Sequence, residues 1–346
     1  MQKTMETVDL VEDVIRQYID AKQAFLALRQ AESKLTEYRG GMVWKTVKDH
    51  DYLIRTSIRG AQKSLGPRSP ETEAIFQKFT SGKTRAEQLR AGLRQALERH
   101  RRLNRALRVG RTPDIIIDIL NGLQQAGMAD KFTVIGTNAL YAYETAAGVR
   151  IEAGHLATRD FDLLWDNRRK LSLAIQEGPL AQGMLGFLRR IDSSFTLRDD
   201  QLYTAVNKDG YEVDILRRMG PGSDNEPGQI TTIAEDFWAV KARNADWLLS
   251  APKFSEVIVG TSGRMARMTT VDPRAFALFK LWMAEQTDRE YAKRVRDTSQ
   301  ARIVVQLISE YLPQFSFEEI KVFPSSVAGL VTTDDDGPHL VTQSGK

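Results

Sequence analysis

The alternation of apolar and polar residues is most informative between Phe132 and Trp165. A short run with β-branched residues, Phe132 to Ile135, predicts a buried strand that ends at Gly136-Thr137. The residues that follow are apolar at spacings of three and four, which predicts a helix that ends at Gly148. The apolar face of this helix is formed by Leu140, Tyr143 and Ala147.

A second strand is predicted to begin at Asp160, and it places two carboxylates on one face. Alternate residues of a strand point the same way, so Asp160 and Asp162 share a face while Phe161 and Leu163 enter the core. Neighbouring carboxylates repel each other, and a divalent cation with oxygen ligands is the common remedy. The pattern therefore predicts a metal site.

A third carboxylate, Asp214, lies in a later apolar run from Tyr211 to Leu216. A turn signal at residues 207–210 separates this run from an alternating run at 202–206. The two runs are therefore predicted to form antiparallel strands of a hairpin. Helices are predicted upstream, at 168–176 and 180–189, and a loop rich in Pro, Gly and Asp is predicted at 220–228.

The first 38 residues carry apolar positions at alternating spacings of three and four, which predicts one long helix with a heptad-like seam. Such a seam packs on a partner helix, either the later basic helix of this chain or the same helix of a second copy, so a homodimer is one possibility. The seam consists of Val11, Val14, Tyr18, Ala21, Phe25, Leu28 and Leu35.

Two alternating runs, 42–48 and 52–57, predict a β-hairpin around residues 49–51. Its exposed side is expected to mix basic and aromatic residues: Lys45, Lys48, Arg55, Trp44 and Tyr52. Basic and aromatic side chains together can pair with phosphates and stack on bases, although a solvated hairpin has the same pattern. Lys45 and Arg55 are the candidate nucleic-acid contacts on this hairpin.

A turn is predicted at residues 63–68, followed by a helix with Ser69 as N-cap and Pro70 at its first position. The region up to Arg111 is the most basic stretch of the chain. Its candidate nucleic-acid contacts are Arg101, Arg102 and Arg105. An arginine-rich face can bind a polyanion such as tRNA, or it can be a solvated helix face.

The C-terminal third is predicted to be mostly helical. The expected elements are a helix at 233–249, strands at 254–259 and 265–268, and helices at 273–283 and 288–312. The polar segment 332–346 is expected to be a disordered tail. The predicted domains are thus 1–112, 113–230, 231–331 and the tail.

Composition limits the function classes. The 346 residues include no cysteine, which excludes disulfides and thiolate metal sites, and 42% are hydrophobic. No apolar run approaches 18 residues and the polar N-terminus does not resemble a signal peptide, so a cytoplasmic protein is expected. The net charge of +4 is small, and any nucleic-acid binding depends on where the charge lies.

Gly136-Thr137, Asp160-x-Asp162 and Asp214 together resemble the signature of the DNA polymerase β-type nucleotidyltransferases. Within that superfamily the chain is most similar to little-characterised bacterial proteins with GTNALYAYE-like and ATxDxDLLW-like segments and an N-terminal GGxxWK block. The likeness covers about Tyr38 to Leu307. Many members of the superfamily have Ser where this chain has Thr137, and some have Asp where it has Gln300.

The resemblance implies an α+β fold, in which a polymerase β-like module with a mixed sheet is flanked by an N-terminal helix-hairpin-helix region and a C-terminal helical region. It implies transfer of a nucleoside monophosphate from an NTP to a hydroxyl, with two Mg²⁺ or Mn²⁺ ions about 4 Å apart. The implied metal ligands and catalytic residues are Asp160, Asp162 and Asp214, and the implied nucleotide-binding residues are Gly136, Thr137, Lys280 and Arg294.

The acceptor is left open between RNA, such as a tRNA 3′ end, and a protein side chain. Relatives with compact modules often belong to toxin–antitoxin or defence systems. A second hypothesis is a non-catalytic protein that binds nucleic acid or a partner through its basic N-terminal region. A third is modification of a small molecule.

Overall fold

The computed structural model describes residues 7–166, 182–218, 228–229, 233, 236–334 and 337–341. Its strands are β1 (Thr7–Asp9), β2 (Gly41–Val47), β3 (His50–Thr56), β4 (Gln62–Pro67), β5 (Phe132–Ile135), β6 (Val149–Ile151), β7 (Asp160–Trp165), β8 (Thr196–Leu197), β9 (Thr204–Val206), β10 (Glu212–Arg217), β11 (Gly228–Gln229), β12 (Trp238–Lys241), β13 (Lys253–Val259), β14 (Met265–Val271), β15 (Val331–Asp334) and β16 (Gly337–Leu340).

The helices are α1 (Glu12–Leu35), α2 (Pro70–Ala106), α3 (Asp114–Gln125), α4 (Leu140–Ala147), α5 (Ala153–Leu156), α6 (Gly183–Ile191), α7 (Ala245–Ser250), α8 (Pro273–Glu285), α9 (Tyr291–Tyr311) and α10 (Ser325–Ala328). Short 3₁₀ turns occur at Thr36–Tyr38, Thr137–Ala139 and Phe317–Glu319. Two compact units are formed: a hairpin unit, Glu12–Val109, and a sheet unit, Met1–Val11 with Gly110–Lys346. Within the described residues no helix is both long enough and apolar enough to cross a membrane.

In the hairpin unit, α1 packs along α2 and buries much of the predicted seam. Val14, Ala21, Phe25 and Leu28 are buried, whereas Tyr18 and Leu35 are only half-buried and Val11 is exposed. Polar contacts also join the helices: Gln17 donates to Asn104 at 2.8 Å and contacts His100, and Arg94 donates to Glu32 at 3.1 Å. The seam that suggested a homodimer is therefore covered by α2 of the same chain.

The same unit holds a three-stranded antiparallel sheet in the order β2-β3-β4. The predicted hairpin is present, and Lys48 and Asp49 turn it with φ of 48° and 64°. The turn predicted at 63–68 is wrong, because β4 pairs with β3 over most of that segment. The predicted helix start is confirmed: the Ser69 hydroxyl accepts a hydrogen bond from the Thr72 backbone, with Pro70 at the first position.

The expected exposed face of basic and aromatic residues forms only in part on this hairpin. Lys45 lies opposite Tyr52 in the strand pairing, whereas Trp44 and Arg55 contact α2. Trp44 packs on Phe76 of α2 with ring centroids 5.8 Å apart, and Arg68 lies over its ring. Arg55 donates to the backbone carbonyls of Gly41 and Arg39. Adjacent residues of a strand face opposite sides, so exposed Lys45 is on the other face from Trp44. The arginine predicted to contact nucleic acid here has a structural role.

The sheet unit is built on a nine-stranded mixed sheet with the order β11-β12-β10-β7-β5-β14-β13, and β9 and β8 continue from β10. Strand β7 pairs in parallel with β10 and antiparallel with β5. As predicted, β9 is antiparallel to β10. The core side of the two central strands is fully buried, with no exposure for Phe161, Leu163, Val213 and Ile215. This mixed arrangement of strands and helices agrees with the α+β prediction.

Several C-terminal predictions change. The helix predicted at 233–249 is replaced by β12, which pairs in parallel with β10, and by the short α7, because pairing at the sheet overrides the helical spacing. The predicted boundary at residue 230 falls within the sheet, which takes strands from both sides of it. The expected disordered tail includes a hairpin of β15 and β16. Residues 168–176, 220–227 and 342–346 lie outside the described residues.

Candidate active site

Strand register places the predicted carboxylates at one end of the sheet. In the parallel pair β7 and β10, Asp162 lies opposite Asp214, and Asp160 lies opposite Glu212. Directly paired residues point to the same side of a sheet, so all four carboxylates share a face. Glu212 is held by Arg198 at 2.9 Å and does not line the adjoining cavity. The three predicted aspartates all line it.

The junction between β5 and the following 3₁₀ turn brings backbone against this acidic face. Gly136 has φ of 69°, and a Cβ placed there would lie 2.1 Å from Oδ2 of Asp162. Both observations require glycine at this position, since any side chain would strain the backbone and displace the carboxylate. Asn138 donates its side-chain amide to the backbone carbonyl of Asp160, which holds the start of β7 against the junction.

Burial and mutual repulsion raise the pKa of two of the three aspartates. The pKa of Asp162 rises to about 7, first because the carboxyl is buried and then because Asp214 lies nearby. Burial also raises the pKa of Asp214, with a smaller contribution from Asp160 and an opposing hydrogen bond from the Thr204 hydroxyl. The negative charge concentrated here therefore favours either protons or cations.

The cavity beside the aspartates has a volume of about 580 Å³, within the range of small-molecule sites. The apolar side chains of its lining, called the apolar wall below, are Ile135, Leu216, Leu248, Val271, Phe276, Phe279 and Met283. The cationic residues that line it are Lys280, Arg243, Arg289, Lys293 and Arg296. A cavity with carboxylates, cations and an apolar wall can accommodate a ligand that carries both phosphates and an aromatic base.

Lys280 is held at the cavity by a fully buried carboxylate. Its ammonium donates to Oδ1 of Asp297 at 2.7 Å, and Arg289 donates to the other oxygen of Asp297. Burial lowers the pKa of Lys280, and the charge of Asp297 opposes that change. The arrangement fixes two cations, Lys280 and Arg289, on one buried acid at the cavity wall.

Residues 115–322 match the model of a family described as nucleotidyltransferase. The chain belongs to this nucleotidyltransferase family. The matched segment covers more than half of the chain and contains all three aspartates, the glycine junction, α8 and α9. No curated protein and no solved structure matches the chain.

Among the predicted nucleotide-binding residues of the nucleotidyltransferase, Gly136, Thr137 and Lys280 line the cavity and Arg294 does not. Arg294 instead donates to the backbone carbonyl of Ala284 at 2.7 Å. Its neighbour Arg296 faces the cavity, and the Nε of Arg296 is buried without a hydrogen-bond partner in the described chain. Of these two arginines, Arg296 is therefore the one whose side chain a ligand in the cavity can reach.

Gln300 forms a link to the glycine junction that sequence reasoning did not anticipate. It is fully buried on α9 and donates to the Thr137 hydroxyl at 3.0 Å and to the His155 carbonyl at 2.8 Å. Because the amide donates to the threonine oxygen, the hydroxyl hydrogen of Thr137 must point elsewhere and can serve an acceptor in the cavity. No local sequence signal predicts this contact, which joins residues 163 positions apart.

The donor set is suited to a hard divalent cation. Carboxylate and hydroxyl oxygens from Asp160, Asp162, Asp214, Thr137 and Thr158 line one cavity, and oxygen ligands are those that Mg²⁺ prefers. Within the described residues, no three acidic or histidine side chains already converge as a closed ligand set. The Thr204 hydroxyl donates a hydrogen bond to Oδ1 of Asp214.

Proposed function

We propose that this nucleotidyltransferase is a polymerase β-like enzyme that transfers a nucleoside monophosphate from an NTP to a hydroxyl acceptor and releases pyrophosphate. The observation that carries the proposal is the register that sets Asp162 opposite Asp214 and against Gly136, at the edge of a cavity lined by cationic side chains. Repelling carboxylates beside phosphate-binding cations are the expected arrangement for phosphoryl chemistry.

In the proposed reaction, the oxygen of the acceptor hydroxyl attacks the α-phosphorus. The bond between that phosphorus and the bridging oxygen breaks, and pyrophosphate leaves with the bonding electrons. Asp214 accepts the hydroxyl proton, since its carboxylate lies opposite Asp162 and lines the cavity in which the acceptor must approach the α-phosphorus. Mg²⁺ or Mn²⁺ held by Asp160, Asp162 and Asp214 would neutralise charge on the triphosphate and make the hydroxyl more acidic.

The chain's own groups bind and orient the nucleotide. The backbone N–H of Gly136 and the hydroxyl of Thr137 bind the terminal phosphates. Glycine at position 136 lets this backbone lie against Asp162, where a Cβ would collide with the carboxylate. Lys280 and Arg296 supply positive charge to the same phosphates. The apolar wall near Phe279 excludes water and receives the base.

The test is labelling with each α-³²P-labelled NTP and Mg²⁺, in the presence of total RNA or of a protein extract. The Asp160→Ala/Asp162→Ala variant is the negative control, expected to be inactive. Asp209→Asn is the matched control, because it removes an exposed carboxylate from the turn before β10, outside the cavity. We expect wild type and the control to label RNA or protein, and the double variant to label neither. Equal labelling by the double variant would contradict the assignment.

A further inference from the structure

The charge of the chain is divided unevenly between its two units. Residues 12–109 contain 21 Lys and Arg against 11 Asp and Glu, a net charge of +10, whereas the whole chain carries +4. The remainder, including the candidate active site, is therefore net negative by 6. A unit with this excess of positive charge attracts polyanions, and the attraction does not arise from the catalytic cavity.

Within the hairpin unit, four arginines lie along one flank of α2. Arg90, Arg94, Arg101 and Arg105 are separated by four, seven and four residues, so they fall within about 60° of each other around the helix. We call them the arginine flank. It extends for about 22 Å along a helix of 37 residues. A different flank of α2 exposes apolar residues at Leu89, Leu103 and Leu107.

The arginine flank is only partly neutralised by nearby carboxylates. Arg94 pairs with Glu32 and Arg101 with Glu98, and both pairs are partly exposed. In the described part of the chain neither Arg90 nor Arg105 has a carboxylate partner. Positive charge on the flank is therefore available to a ligand.

We propose that the arginine flank binds the phosphodiester backbone of RNA, and that RNA is the acceptor of the transfer described above; the second part rests on the proposed function. A linear series of guanidinium groups on a convex helix matches the regular phosphates of a strand, and each guanidinium can bind a phosphate through two N–H groups. An acidic peptide would need a groove or a sheet edge to order it, which a convex helix flank does not offer. RNA also carries the hydroxyl groups that the transfer requires.

Binding is measured on the full chain by fluorescence anisotropy, with a labelled 20-nucleotide unstructured RNA in EDTA and without NTP, so that catalysis plays no part. The flank variant is Arg90→Gln/Arg101→Gln/Arg105→Gln. The matched control is Lys78→Gln/Arg85→Gln/Arg99→Gln, which removes the same charge from exposed positions elsewhere around the same helix. Thermal melts of both variants verify folding.

The flank variant is expected to bind RNA at least ~10-fold more weakly at 0.1 M salt, and the slope of log affinity against log salt should fall by about 2. The control is expected to stay within two-fold or so of wild type. Equal loss in both variants would show that only net charge matters and would overturn the proposal. Because the contacts are to phosphates, single-stranded DNA of the same sequence should lose affinity for the flank variant in the same way. Stronger binding of polyglutamate than of RNA would overturn RNA as the chosen partner.

Labelling with α-³²P-labelled NTP separates this inference from the proposed function. If wild type and the control label RNA strongly and the flank variant labels it weakly, both the inference and the proposed function are supported. If RNA binds the flank but only a protein acceptor is labelled, the acceptor assignment is contradicted and the binding surface stays in place. If no acceptor is labelled with any NTP, it is the proposed function that is contradicted. Label transferred to RNA equally by the flank variant would overturn the inference and leave the nucleotidyl transfer standing.

Discussion

Replacing Asp162 by Asn in the metal-free protein is expected to raise stability at pH 8 and to remove stabilisation by Mg²⁺. The folded protein keeps a proton on Asp162 up to about pH 7, because burial and the nearby Asp214 raise the pKa of its carboxyl from 3.8. The unfolded chain loses that proton near pH 4. Between these values the folded state binds more protons, so the stability of wild type falls as pH rises.

The size of the effect follows from the pKa difference. About three pKa units correspond to about 4 kcal/mol, since each unit is worth 1.36 kcal/mol. The side chain faces a cavity, and solvent screening reduces this to about 2 kcal/mol. The advantage of Asp162→Asn over wild type should thus grow from near zero at pH 4 to its full size at pH 8. For a unit of this size it corresponds to a rise in Tm of roughly 4–8 °C.

The assay is differential scanning fluorimetry from pH 4 to 8, in EDTA and then in Mg²⁺. Asp192→Asn is the control of opposite sign, because hydrogen bonds from the Ser194 backbone and hydroxyl lower the pKa of Asp192. That control should lose stability above about pH 4. A lower Tm for Asp162→Asn than for wild type at pH 8 in EDTA would refute the reasoning, as would a difference that does not change with pH.

Three further substitutions, two of them with a comparison variant, test the cavity. Gln300→Ala should raise KM for NTP by about ten-fold with a smaller change in kcat, because the Thr137 hydroxyl loses the hydrogen bond that orients it. Gln300→Asn should not restore the wild-type KM, and an unchanged KM in Gln300→Ala would contradict this role. Gly136→Ala should abolish labelling and lower the free energy of unfolding, measured with denaturant, by about 1–3 kcal/mol, since the new Cβ overlaps Asp162. Full activity of this variant would be incompatible with the observed backbone. Arg296→Met should weaken NTP binding in calorimetry at least ~10-fold, and Arg294→Met should not; the reverse order would restore the original assignment.

The sequence predicts those parts of the site that depend on local periodicity. Asp160 and Asp162 share a face because strands alternate, and Asp214 could be placed on a strand because its neighbours are apolar. The side of α9 that faces the cavity could not be deduced. Arg294 and Arg296 are two residues apart and so about 160° apart around the helix, and only packing decides which one faces inward.

Other features were missed because they depend on partners distant in the chain. Strand β12 forms where β10 offers a free edge, and β4 forms beside β3, although neither segment has a strong strand pattern. The strand pattern predicted an exposed Arg55, but in the structure its guanidinium contacts the β2 backbone and Phe79 of α2. Gln300 reaches Thr137 only after α9 packs near the glycine junction.

Nucleotidyl transfer itself is tested most directly by comparing two labels in one NTP. The protein is incubated with Mg²⁺, RNA and either α-³²P-labelled or γ-³²P-labelled nucleotide, beside the Asp160→Ala/Asp162→Ala variant. Transfer at the α-phosphorus predicts that the α-label moves to RNA and the γ-label appears only in pyrophosphate, with both lost in the variant. The γ-label on RNA, or an α-label that persists in the variant, would contradict the account.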